Sequence, residues 1–107
     1  MVSDSTLSDL GRFSDPAILI LVSLADGPKH GYAMMEDIAR VGGVRLGPGT
    51  LYGALARLER RGLIEALPAE ERRHPYQLTG VGVTALRTQL DQLRSFAHVG
   101  LRRLAAT

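Results

Sequence analysis

Cysteine is absent from this chain, which excludes disulfides, thiol nucleophiles and thiolate metal sites. Tryptophan is also absent and phenylalanine occurs only twice, so a pocket of stacked rings for a flat ligand has little to be built from. Neither charge sign dominates, since the formal net charge is only +2. Long hydrophobic runs are missing as well. The longest, Ala17 to Leu24, is interrupted by Ser23 and falls far short of the roughly 20 residues that span a bilayer. The segment before it carries aspartates and an arginine without a basic start, unlike a signal peptide. These absences predict a cytoplasmic protein with no membrane association. The three histidines, His30, His74 and His98, have no ligand spacing between them, so no metal site is expected. There is also no local setting for a nucleophile and no phosphate-cradling glycine loop, so neither a cofactor nor an enzyme is expected.

What is present suits one small globular domain. The 107 residues are 45% apolar and 22% charged, an ordinary folded composition. A chain this short buries a modest share of its surface, which leaves room for stabilisation by a partner subunit. Lysine occurs only at Lys29, and the other twelve cations are arginines. Several are clustered: Arg57, Arg60 and Arg61, then Arg72 and Arg73. The planar fork of arginine matches phosphate and guanine.

The pattern along the chain predicts four helices and a hairpin. Residues 1–14 are polar and Ser/Asp-rich and read as a flexible arm. Asp15-Pro16 opens a first helix that closes near Asp26-Gly27-Pro28. Its apolar residues, including Ile18, Leu21 and Val22, cover nearly the whole circumference, so one small domain cannot shield it alone. A second helix runs from about His30 to Val41 and stops at Gly42-Gly43. A short extended piece follows over Val44 to Leu46. The third helix begins at Gly47-Pro48 and closes at Gly62. Leu51, Ala54, Leu55 and Leu58 make its inner stripe, and Gly49, Gly53, Ala56, Arg57 and Arg60 lie opposite. Two short strands, Leu63 to Leu67 and Tyr76 to Leu78, flank a charged loop. Thr79 caps a last helix of roughly 26 residues, about 39 Å long. Along it Leu86, Leu90, Leu93, Ala97, Leu101 and Leu104 keep a heptad-like step broken at Gly100, a stripe that predicts a homodimer seam.

This order is that of a winged helix-turn-helix: mainly α, with a small β-hairpin wing and a long C-terminal dimerisation helix. The third helix of such folds enters the major groove of double-stranded DNA, and the wing lies over the adjacent backbone. A groove about 12 Å wide admits a helix most easily when its leading face is small, as Gly49, Gly53 and Ala56 make it. Thr50 and Tyr52 place hydroxyls near the helix start, Arg57 and Arg60 reach further along, and Arg72, Arg73 and His74 sit at the wing tip.

At these residues the sequence resembles the PadR-type (phenolic acid repressor) transcriptional regulators. The resemblance is carried by His30-Gly31-Tyr32, by Pro48-Gly49-Thr50-Leu51-Tyr52 with Leu55, Arg57-Leu58-Glu59 and Gly62-Leu63-Ile64, and by Tyr76, Leu78-Thr79 and Gly82. It spans about residues 16 to 90 and is closest to the subfamily with a single C-terminal dimerisation helix. It implies a dimeric repressor on a palindromic operator, with the last helix packed on the partner's first helix and DNA contacts at Lys29, His30, Tyr32, Thr50, Tyr52, Arg72 and Arg73. A small-molecule effector near the dimer interface is compatible with it. Two positions depart from the family pattern: Gly53, where proline is common, and Arg73-His74-Pro75, where a basic residue and a second aromatic are common. Pro75 lacks a ladder donor and suggests an edge position. The expected organisation is an arm over 1–14, a DNA-binding domain over 15–79 and a dimerisation helix over 80–107. The competing reading is a winged-helix protein-interaction module without sequence-specific DNA binding.

Overall fold

The computed structural model describes residues 15–69 and 71–107. The arm expected over 1–14 lies outside the described residues.

Helix α1, Pro16–Leu24, starts where the Asp15 carboxylate accepts the Ala17 amide at 2.8 Å and Pro16 occupies the first turn. It ends two residues before the expected Asp26. Helix α2, Gly31–Gly42, runs one residue past the expected stop, because Gly43 rather than Gly42 takes the left-handed cap at φ 68°. Helix α3, Pro48–Arg60, gives way to Gly62 at φ 74°. Strands β1, Ile64–Ala66, and β2, Tyr76–Leu78, pair antiparallel with Ile64 opposite Leu78 and Ala66 opposite Tyr76. Helix α4, Gly80–Ala105, is capped by Thr79, whose hydroxyl accepts the Gly82 amide at 3.0 Å and donates to the Gly62 carbonyl at 2.6 Å.

The extended piece over Val44 to Leu46 pairs with no strand. The free edge of β2 is met instead by the turn after α1, where Lys29 and Tyr76 exchange both backbone hydrogen bonds, at 3.1 and 2.9 Å. Tyr76 is thus held on two sides, by Ala66 and by Lys29, and the wing is tied to the base of α2.

The core lies where α1, α2 and α3 meet under the hairpin. Ile20, Leu24, Met34, Ile38, Leu51, Leu55 and Ile64 are essentially sealed, with Ala54 and Leu58 beside them. Burying each large aliphatic side chain stabilises the fold by about 1.5–3 kcal/mol. Two residues expected at a dimer seam belong to this core instead: Leu21 is 7% exposed and Leu86 5%. The reason is the start of α4, which packs back across the body before leaving it. A Cβ on Gly82 would stand 1.9 Å from the Leu63 carbonyl oxygen, so only glycine lets α4 approach that closely.

Beyond Leu86 the helix departs. Leu93 remains half-buried, whereas Leu90, Ala97, Leu101 and Leu104 are exposed, as is Phe96, which the heptad reading did not include. On α1, Ile18 and Val22 are half-buried against the core. Among the described residues no helix is long and apolar enough to cross a membrane.

Candidate nucleic-acid interface

Helix α3 divides cleanly. Leu51, Ala54, Leu55 and Leu58 face the core, while Gly49, Thr50, Tyr52, Ala56, Arg57 and Arg60 are exposed and Gly53 is half-buried. Nothing stands within 4 Å of where a Cβ on Gly49 would lie, and a Cβ on Gly53 would meet only the end of Arg57, at 3.7 Å. The leading face is therefore low and unobstructed, with guanidiniums toward its far end. Arg57 and Arg60 occupy the last turn, where the helix dipole favours positive charge.

The wing loop turns at Glu71, whose φ of 60° is left-handed. Its base is closed by the Leu67 amide, which donates to the Pro75 carbonyl at 2.8 Å. Pro75 is buried just before β2 begins, so its missing donor costs the ladder nothing. Arg72, Arg73 and His74 are exposed on the wing, and His74 Nδ1 lies 3.4 Å from the Leu67 carbonyl oxygen.

Between wing and helices is an open cleft of about 330 Å³. The start of α2 contributes His30, Gly31 and Tyr32, α3 contributes Tyr52, and the wing side contributes Arg72, Arg73, His74 and Tyr76. Six of the twelve sequence-derived DNA residues thus line one space, although they lie up to 44 positions apart in the chain. Gly49, Thr50, Gly53, Arg57 and Arg60 do not line it and remain on the outer face of α3. Gly31 and Tyr76 join it unforeseen. The signal for Gly31 was its place between His30 and Tyr32: a Cβ there would lie 2.4 Å from the Tyr52 hydroxyl, so glycine lets the Tyr52 ring reach over the start of α2. Tyr76 had been read as packing alone, and it both packs on the core and lines the cleft. Burial pushes the Tyr76 phenol above its ordinary value, with Glu59 and Tyr52 adding to the rise, so it remains a neutral hydroxyl donor at physiological pH.

Lys29 is placed differently from the expectation. Its ammonium turns inward and donates to the Ser23 carbonyl and the Asp26 carboxylate. Ser23 is itself buried, and its hydroxyl donates to Asp37 at 2.7 Å. That bond is the largest influence holding the Asp37 carboxyl below its ordinary range; burial opposes it, and Arg40 and Lys29 assist. The sequence signal for this group was faint: one serine in an otherwise apolar run. Among the described residues no group of three or more histidines and carboxylates sits where it could hold a metal ion.

A small apolar-backed helix with a low outer face, a preceding helix aimed at the same side and a cationic hairpin beside them define a winged helix-turn-helix protein. Residues 20–88 match the family model described as the transcriptional regulator PadR-like family. The chain belongs to that family, and membership makes it a DNA-binding transcriptional regulator rather than an enzyme. A PadR family transcription regulator from Clostridium difficile R20291 superposes with a TM-score of 0.75 at 28% identity, covering 83% of this chain and 97% of that one. RosR of H. salinarum gives 0.69 at 26% identity, covering 81% and 79%. An uncharacterized 37.1 kDa protein in transposon TN4556 of Streptomyces fradiae is 52% identical over 71 residues, which are 66% of this chain. The chain spans only 21% of that relative's length.

Proposed function

We propose that the protein works as a homodimer that reads a palindromic operator in double-stranded DNA and represses transcription by occupying it. The cleft carries the reading: residues from α2, α3 and the wing converge there without any catalytic constellation. Lined by Arg72, Arg73, the start of α2 and the Tyr52 hydroxyl, it suits a backbone phosphate. With a phosphate seated there, the low face of α3 meets the major groove, and Thr50 and Arg57 come within reach of base edges. The exposed apolar row of α4, Leu90 to Leu104, supplies the dimer seam together with Ile18 and Val22 of the partner's first helix. A small molecule bound along that seam would release the operator by changing the separation of the two reading heads.

Selection of bound sequences from a random duplex pool, at two salt concentrations, tests this reading. The expected outcome is an enriched inverted repeat with half-site centres about one helical turn apart, or a small multiple of it. Salt-sensitive binding without enrichment would instead mean general DNA coating. Absence of binding would favour a protein-interaction module.

A further inference from the structure

Lys29 lies next to His30 in sequence and opposite Tyr76 across the backbone bridge, both of which line the cleft, yet its own side chain points the other way. Its ammonium reaches the Ser23 carbonyl, one of the last carbonyls of α1 and so without a partner inside that helix. The last turn of α1 contains no basic residue of its own, and Lys29 supplies the missing cation from beyond it. Ser23 then continues the chain of bonds to Asp37 on α2, and Asp37 to Arg40 at 2.7 Å. The Lys29 side chain is 18% exposed, so the junction is shielded where it grips Ser23, whereas its second acceptor, Asp26, is 78% exposed and adds little.

We infer that Lys29 is a positioning residue: by clamping the end of α1 through Ser23 while its backbone pairs with Tyr76, it sets the separation between the wing and the start of α2, and hence the width of the cleft. The inference deepens the DNA-binding reading and rests on it for its consequence. It assigns the protein's one lysine a role other than phosphate contact. Without the clamp, the turn from Gly27 to Lys29 is held mainly by its backbone bonds to Leu24 and Tyr76. The wing then samples a range of heights, and binding must first order it.

The salt dependence of DNA binding separates positioning from contact. A residue that neutralises a phosphate contributes about 0.9 to the slope of log K against log salt, and a positioning residue contributes nothing. In the full chain, Lys29→Met is expected to weaken binding to the selected operator about tenfold with the slope unchanged, and Lys29→Arg to restore most of the affinity. Amide exchange at Tyr76 in the DNA-free protein is expected to accelerate in Lys29→Met and not in Lys29→Arg. Because this second readout needs no DNA, it tests the clamp even if the operator reading fails. Lys29→Gln carries the same expectations should the methionine variant not fold. A slope reduced by about one phosphate contact would make Lys29 a DNA ligand and overturn the inference. Unchanged affinity with unchanged Tyr76 exchange would overturn it equally.

Discussion

At the scale of single residues, the fold depends on a few positions where one atom more or less decides the packing. At Gly82 a methyl group would collide with the Leu63 carbonyl oxygen, a backbone atom held in the Thr79 amide hydrogen bond at 3.1 Å and so unable to swing aside. Gly82→Ala is expected to lower stability by about 2–3 kcal/mol, measured by urea unfolding, because overpacking against fixed backbone cannot relax. The pair Ser23 and Asp37 also has a pH signature. Asp37 has a folded-state pKa depressed below its ordinary 3.8, chiefly by the Ser23 hydroxyl. Its contribution is therefore fully present above that ordinary value and is lost as pH falls through the lower folded one. Ser23→Ala is expected to cost roughly 1.5–3 kcal/mol at neutral pH, the range for hydrogen bonds to charged groups. It should also flatten the decline of stability below pH 4, which unfolding curves at several pH values would reveal.

At the scale of elements, the wing and α3 divide the work of binding. The wing guanidiniums are exposed around a cleft of backbone-phosphate size, so Arg72→Ala with Arg73→Ala is expected to weaken binding to all sequences alike. The salt slope should fall by roughly 1 to 2, and titrations at three salt concentrations would show it. An unchanged slope would take the wing out of the account. On α3, Thr50→Ala or Arg57→Ala is expected to change which sequences are enriched in a repeat selection. A uniform loss of affinity instead would place base reading elsewhere. The element types were legible in the sequence because their signals are local: Pro16 and Pro48 at helix starts, an apolar stripe at 3.6-residue spacing on α3, and Thr79 before the last helix. The expected strand over Val44 to Leu46 fails for the opposite reason. Strand pairing is a contact between distant residues, and nothing local told Lys29 from Leu46 as the neighbour of Tyr76.

At the scale of the whole molecule, the shape is that of a head with a projecting rod, 56 × 29 × 20 Å in extent. Leu101 and Leu104 lie on the rod at 67% and 71% exposure, far more apolar surface than a lone helix carries without a partner. If the rod is the dimer seam, Leu101→Glu places an unpaired charge in it at a cost of several kcal/mol. Because Leu101 touches none of the protomer's core, the variant should keep its helical circular dichroism while sedimentation shows the mass halved and operator affinity lost. A dimer that survives the change would exclude this stretch of α4 from the seam.

By itself the sequence determined the kind of each element, the low and basic outer face of α3 and the apolar stripe of α4, because caps, turn residues and helical periodicity act over a few neighbouring residues. It also marked the residues of the cleft one by one. Only the tertiary structure decided which of them meet. It brought His30, Tyr52 and Arg73 around one space, turned Lys29 away from it to hold the end of α1, and drew Leu21 and Leu86 into the protomer's own core. Those outcomes depend on how α4 crosses the body and on which backbone edge reaches β2. Both are set by contacts between residues remote in sequence, where close packing admits one arrangement and local pattern carries no record of it.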